Sequence, residues 1–206
     1  MGNQAWVSLL NPDAPLASGA GAALNTAATA TISPVFGGSA AADVAAVQPP
    51  GPWAGAWDPS FLIRVTARGF ITTTTTSTTA TFLLAARAGN TGSTYITLAT
   101  APGLATSTTA MTGVPWKLEA LIRCTAVATS GNTVATQGEM YLSPNPATSQ
   151  TLNTASAGVN LYLPSASGET NAAVDTTQLQ GISMRATLAG ANATIQLTQW
   201  IVEALN

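Results

Sequence analysis

Residues 115–142 decide the fold, and they read PWKLEALIRCTAVATSGNTVATQGEMYL. Within 115–128 apolar and polar residues alternate: the apolar positions are Trp116, Leu118, Ala120, Ile122, Cys124, Ala126 and Ala128, and the opposite parity carries Lys117, Glu119, Arg123 and Thr125. A period of two places all the apolar side chains on one face of a strand, whereas helical spacing would scatter them around the axis. We therefore predict a long β-strand over 115–128.

A turn follows this strand, because Ser130-Gly131-Asn132 is a sequence that favours tight turns. Residues 133–142 then resume a strand-like mixture of β-branched, aromatic and apolar residues, so we predict that the two runs pair as a hairpin. Leu121 and Val127 stand on the polar parity of the first strand. This indicates that its second face is also partly covered, as expected for a central strand of a sandwich.

Further strands are predicted where apolar residues alternate or cluster between turn residues, at 61–71, 80–87, 94–98, 158–164, 179–188 and 194–204. The threonine tract 72–79 brings few apolar atoms and is predicted to be an exposed edge or turn. Loops are predicted at 99–113, 143–157 and 165–171. About eight to ten strands, no helical period and long connections predict an all-β fold, specifically a jelly-roll-like antiparallel β-sandwich.

The first 52 residues differ from the rest, because they contain only two charged residues amid Ala, Gly, Ser and Pro. We predict an extended low-charge N-terminal arm over 1–52 and a β-sandwich domain over 53–206. The apolar anchors of the arm are predicted to bind a neighbouring protein, and they are Trp6, Leu9, Leu10, Ile32 and Phe36. In the alternative interpretation, the same segment supplies the first strand or two of the sandwich.

Charge is scarce in this chain. Only 7% of the 206 residues are charged, with a net charge of −2, whereas soluble domains usually carry about 25%. Threonine alone contributes 33 residues, so small uncharged side chains must cover much of the surface. Such a surface is weakly protected against association, and we predict a homo-oligomer. The six basic residues are spread along the chain, which argues against nucleic-acid binding.

No apolar run approaches the ~18 residues that a transmembrane helix requires, and we predict no membrane association. The N-terminal sequence MGNQAWVSLLNPD lacks the basic segment and the long apolar core of a signal peptide. We therefore expect synthesis in a cytoplasm without export. Cys124 is the one cysteine and stands on the apolar parity, which predicts a buried thiol that acts as a small hydrophobic group.

The chain has no histidine, which removes the usual general base, the commonest metal ligand and the Ser-His-Asp arrangement together. No calcium-loop or phosphate-loop pattern occurs either. Glu119 and Glu139 could meet across the predicted hairpin as a glycosidase pair, but a surface charge cluster with Lys117 and Arg123 explains Glu119 more simply. We predict a non-enzymatic protein with no catalytic, cofactor-binding or metal-binding residues.

The tryptophans are the remaining candidates for ligand binding: Trp6, Trp53, Trp57, Trp116 and Trp200. Exposed rings could stack on sugars, whereas packing in the core or at a subunit interface is the simpler interpretation. A receptor-binding or carbohydrate-binding β-sandwich module is therefore the alternative function.

Four segments together resemble the small jelly-roll structural proteins of tailed bacteriophages, especially those of actinobacterial hosts: PWKLEALIRC, TSGNT, QGEMYL and the terminal TQWIVEALN. The resemblance covers 53–206 as a pattern and leaves the arm outside it. It implies a virion component, commonly a homotrimer, that decorates the capsid by binding virion proteins such as the major capsid protein, or that forms part of the tail. The family has no catalytic residues that would carry over to this chain.

Overall fold

The computed structural model describes residues 7–10, 29–31, 59, 62–76, 78–88, 95–101, 103–105, 110–142, 159–163, 169–177 and 180–205. Regular structure in these residues consists of β-strands in two antiparallel sheets, without a helix. Accordingly, this part of the chain holds no helix with the length and apolar character needed to cross a membrane. The all-β prediction is confirmed.

The strands, numbered along the chain, are β1 (Val7–Leu10), β2 (Thr29–Thr31), β3 (Leu62–Thr73), β4 (Thr79–Ala88), β5 (Tyr95–Thr100), β6 (Leu104–Ala105), β7 (Met111–Cys124), β8 (Val134–Leu142), β9 (Val159–Leu163), β10 (Thr170–Ala172), β11 (Gln180–Leu188) and β12 (Ala193–Ala204). Within the described residues, the large sheet has the order β1-β12-β3-β7-β8-β10, and β9 also pairs with β8. The small sheet has the order β2-β11-β4-β5, and β6 also pairs with β4. As predicted for a central strand, β7 lies inside its sheet, between β3 and β8.

The chain crosses between the two sheets at two adjacent connections, β3 to β4 and β11 to β12. β3 pairs with β12 in the large sheet, and β4, the next strand after β3, pairs with β11 in the small sheet. Backbone hydrogen bonds join the two crossings, from Thr74 N to Asn192 O at 2.9 Å and from Ala189 N to Thr79 O at 3.0 Å. Residues 74–76 are exposed at this corner. The prediction that the threonine tract forms an exposed turn is thus confirmed for its middle part.

Side chains from both sheets form one buried cluster. The inward residues of β7, including Trp116 and Ile122, belong to it together with Phe82 and Leu84 of β4. The Trp116 and Phe82 rings lie with their centroids 5.0 Å apart at an interplanar angle of 55°, so they connect the two sheets directly. Each large apolar side chain contributes about 1.5–3 kcal/mol when buried. The alternation within 115–128 is therefore the pattern that builds the core.

The predicted hairpin is present, but its first strand is shifted toward the N-terminus. β7 begins at Met111 rather than Pro115, and it ends at Cys124 rather than Ala128. The prediction of a strand over 125–128 is wrong, although the apolar alternation continues to Ala128. After Cys124 the ladder with β8 ends: Thr125 N and Ala126 N both donate to the carbonyl oxygen of Thr133, at 2.8 and 3.4 Å.

Two buried threonines hold the loop that follows β7. Thr176 Oγ1 accepts a hydrogen bond from Ala128 N at 2.9 Å and donates to the carbonyl oxygen of Ala126 at 3.0 Å. Thr133 Oγ1 accepts from Val174 N at 2.9 Å and donates to the carbonyl oxygen of the same residue at 2.6 Å. The loop between β7 and β8 is therefore held by the segment that follows β10.

Replacing Thr176 with valine is expected to lower the free energy of unfolding by about 1–2 kcal/mol, because the part-buried backbone groups of Ala126 and Ala128 lose their hydrogen-bond partner. Thr176 is 0% exposed, and valine preserves its shape. The matched control is Thr112→Val, at an exposed position of β7, where we expect a change within about 0.5 kcal/mol. Urea denaturation measures both, and equal losses in the two variants would contradict the role of Thr176.

Two of the predicted loops contain strand residues. Residues 99–113 include the end of β5, all of β6 and the start of β7, and 165–171 overlaps β10. Both β6 and β10 have at most three residues, so they carry no alternation from which a strand could be predicted. The loop predicted at 143–157 lies outside the described residues.

Both short strands of the N-terminal segment pair with strands of the same chain. β1 pairs with β12 at one edge of the large sheet, and β2 pairs with β11 at one edge of the small sheet. This pairing supports the alternative interpretation, in which residues 1–52 supply strands to the fold. The division into 1–52 and 53–206 stays a prediction.

Candidate functional site

Charged residues in the strands of the large sheet are confined to one face. The register places them on the side opposite the core, and they are Arg64, Arg68, Lys117, Glu119, Arg123, Glu139 and Glu203. We call this side the outer face of the large sheet. These charges are far apart in sequence, and they come together because antiparallel pairing sets β3, β7, β8 and β12 side by side.

Three ion pairs lie on this face: Lys117–Glu119 at 2.6 Å, Arg123–Glu169 at 2.7 Å and Arg64–Glu203 at 3.6 Å. Arg123 is the best oriented of the cations, because its Nη2 donates to both carboxylate oxygens of Glu169. All of these side chains are substantially exposed, so each pair contributes only about 0–1 kcal/mol to stability. Their main effect is to neutralise charge locally.

Two further charges of the outer face, Arg68 and Glu139, have no ion pair within the described part of the chain. Arg68 stands directly opposite Lys117 in the pairing of β3 with β7. Glu139 stands directly opposite Glu119 in the pairing of β7 with β8. Like charges directly opposite each other destabilise a sheet. Within the described residues, Arg68 and Glu139 are therefore the charges of this face that lack an ion pair.

Exposed aromatic rings border these charges. Tyr141 is 43% exposed and stands opposite Lys117, while Phe70 is 41% exposed and stands opposite Pro115. Tyrosine, phenylalanine and arginine are enriched at protein–protein interfaces. A face that combines exposed rings with unpaired charges is suited to binding another macromolecule.

Glu119 and Glu139 do meet across the hairpin. They lie on an open sheet face, with Glu139 exposed, and the Glu119 carboxylate is held by Lys117. Glycosidase carboxylates instead flank a sugar bound between them. The arrangement favours the surface charge cluster, and in the described residues no group of three or more His, Cys, Asp or Glu is placed to hold a metal ion.

Trp116 is buried, with 2% of its surface exposed, so it is a core residue rather than a sugar-stacking one. Of the other candidates, Trp200 has its backbone in β12, and Trp6, Trp53 and Trp57 lie outside the described residues. Cys124 is buried, as predicted, and its thiol donates to the backbone carbonyl oxygen of Ala126 at 3.4 Å.

The five predicted arm anchors are not gathered into a site by the described structure. Leu9 and Leu10 lie in β1, where their backbones pair with β12. Trp6, Ile32 and Phe36 lie outside the described residues. The partner-binding role of these five residues stays a prediction.

Sequence reasoning missed Arg68, Phe70 and Tyr141 as members of a common surface. Strand parity alone places Arg68 on the polar face of its own strand. The neighbour across the sheet depends on the register, and β3 and β7 are separated in the chain by strands of the other sheet. Phe70 and Tyr141 could have been noticed from the sequence, because an aromatic residue is unusual at the polar positions of a strand.

Comparisons with models of protein families, with curated proteins and with solved structures gave no match to this chain.

Proposed function

We propose that this chain is a non-enzymatic structural protein of a bacteriophage virion, and that it decorates the capsid by binding the major capsid protein. In this proposal it is made in the host cytoplasm and acts as a homo-oligomer, with three copies as the expected number. No catalytic, cofactor or metal chemistry is required. The phage assignment starts from the resemblance of 53–206, and the distribution of charge supports a role in assembly.

The single observation that carries the proposal is the contrast between the two outer faces. Acidic residues, basic residues and exposed rings lie together on the large sheet, whereas the outward register positions of β4, β5 and β11 include two arginines, Arg87 and Arg185, and no acidic residue. Arg185 of the neighbouring β11 is covered in part by Tyr95, whose ring lies 3.9 Å from the guanidinium carbon. Two faces that differ in this way on one small protein are suited to two different permanent contacts.

We further propose that the two sheets pack face to face as a jelly-roll-like sandwich. The shared core and the contact of Trp116 with Phe82 support face-to-face packing. The joint crossing of β3–β4 and β11–β12 between the sheets supports a topology of the Greek-key or jelly-roll kind.

Reconstitution tests the proposed function. Purified chain is mixed with phage particles that lack the native protein, and the particles are sedimented. We expect the chain to sediment in a saturable, stoichiometric amount, and to protect the particles against heat or chelation. A chain that stays in the supernatant at every ratio would contradict a decoration role.

Removing residues 1–52 distinguishes between two roles of this segment, a docking arm and edge strands of the sheets. Because β1 and β2 pair within the chain, we expect the 53–206 fragment to lose about 3 kcal/mol of stability or more, at about 0.5–1.5 kcal/mol for each lost backbone hydrogen bond. Thermal melting measures this loss, and the particle sedimentation assay measures attachment. A fragment of unchanged stability that no longer attaches would instead assign the docking role to residues 1–52.

The exposed rings favour a second candidate, a tail or receptor-binding module that recognises carbohydrate. Tyr141 is exposed on a flat face, where a ring can stack on a sugar. A glycan array tests this function, and binding that disappears in Tyr141→Ala would support it. Absence of binding to every glycan would leave the decoration role as the better explanation.

A further inference from the structure

Arg68 and Glu139 lie on opposite sides of the Lys117–Glu119 ion pair. β7 carries the pair, β3 carries Arg68 and β8 carries Glu139. Two strand spacings of ~4.8 Å and an offset of two residues at ~3.4 Å separate the two backbones by roughly 12 Å. The two unpaired charges are therefore placed too far apart along the sheet to neutralise each other easily within one chain.

Their placement is costly for an isolated chain. Each stands directly opposite a residue of its own sign, Lys117 for Arg68 and Glu119 for Glu139. A cross-strand pair of like charges destabilises a sheet, and exchanging either residue for a neutral one would remove that cost. The described residues supply no ion partner for either charge, and a contact that pairs both would offset this cost.

We propose that the outer face of the large sheet binds a second copy of this chain, with Arg68 of one copy paired to Glu139 of the next. The face is self-complementary: it presents a positive charge on one side and a negative charge on the other. Two copies related by a two-fold axis form the pair twice, and copies in a ring form it once at each contact. The inference rests on the homo-oligomer in the proposed function and assigns its contact surface.

The charges and rings of the outer face favour a second copy over other binding partners. Arg68, Lys117, Glu119 and Glu139 sum to zero charge, so the cluster offers no net attraction to a polyanion such as nucleic acid. Tyr141 and Phe70 flank the charges and supply apolar area for the centre of a contact. Opposite charges at the two sides then set the register between copies.

Charge reversal tests this surface. Arg68→Glu and Glu139→Arg are made singly and together, and mass is measured by analytical ultracentrifugation over a range of concentration. We expect each single reversal to weaken association about tenfold or more, because like charges then face each other between copies. The double reversal restores the opposite-charge contact, and we expect it to recover most of the lost affinity.

The same variants show whether any loss of association comes from a loss of folding. Arg68→Glu places an acid opposite Lys117, and Glu139→Arg places a base opposite Glu119, so neither should lower the melting temperature of the chain. Arg64→Gln is the matched control on the same face, because Arg64 already has its partner Glu203 within the chain and a neutral residue opposite Glu203 adds no like-charge pair. We expect this control to change association less than about twofold.

Each outcome supports or contradicts the proposed contact surface. Weakening by both single reversals with recovery in the double variant supports the surface. An oligomer that is indifferent to all three variants overturns the surface and leaves the homo-oligomer intact. A wild-type chain that is monomeric at micromolar concentration overturns both, whereas membership of the virion is read separately from the protein content of purified particles.

Discussion

Replacing Gly69 with alanine is expected to lower the free energy of unfolding by about 3 kcal/mol or more. Gly69 lies in β3, opposite Trp116 of β7. A Cβ at this position would overlap the backbone carbonyl oxygen of Gln196 and would come within 2.6 Å of Cζ2 of the Trp116 ring. Neither neighbour can withdraw cheaply, because one is backbone of β12 and the other is a buried ring. Glycine is required here for the close approach of three strands.

Gly103→Ala is the matched control for this variant. There the added Cβ would meet Cγ2 of Thr79 at 3.1 Å, a side-chain atom of an exposed residue. We expect its effect to stay within about 0.5 kcal/mol. Urea denaturation followed by circular dichroism compares the two variants. A Gly69→Ala protein as stable as the control would show that β12, β3 and β7 do not approach each other as described.

Replacing Trp116 with alanine is expected to cost about 3–5 kcal/mol, the range for removing a large aromatic side chain from a core. Its ring is 2% exposed and contacts Phe82 of the other sheet. We expect a double-mutant cycle with Phe82→Ala to give a coupling energy of about 0.5–1.5 kcal/mol, since the two rings contact each other directly. Additive losses would contradict the direct contact between the two sheets.

Trp116→Phe is the control for ring loss. The indole Nε1 is buried and has no hydrogen-bond partner in the described part of the chain, so phenylalanine removes an unpaired polar atom while it keeps an aromatic ring beside Phe82. We expect this variant to cost less than about 2 kcal/mol. Thermal melting ranks the stability of Trp116→Ala, Phe82→Ala and Trp116→Phe. We expect Trp116→Ala to melt at a lower temperature than Trp116→Phe.

The core side of β7 was predictable from sequence, because burial on one face of a strand imposes a period of two on the residues themselves. Trp116 and Cys124 are buried as that period requires. A meeting of Glu119 with Glu139 was considered from the sequence, but their register follows from the longer connection 125–133 that the structure shows.

Contacts between distant segments were not predictable in the same way. Thr176 binds backbone groups 48 and 50 residues away, and nothing in the local pattern identifies a threonine that will be buried. β7 ends before the residues that Thr176 binds, so alternation alone placed the end of the strand too late. The neighbours Arg68 and Lys117 likewise belong to strands that meet only after the chain has passed through the small sheet.

Quantitative mass spectrometry of purified phage particles tests the virion assignment most directly. Particles of a phage that encodes this chain are purified on a density gradient, and peptides of the chain are counted against those of the major capsid protein. We predict that the chain is present at a fixed copy number per particle that survives repeated purification. Its absence from the particles, while it accumulates in the infected cell, would contradict a structural role in the virion.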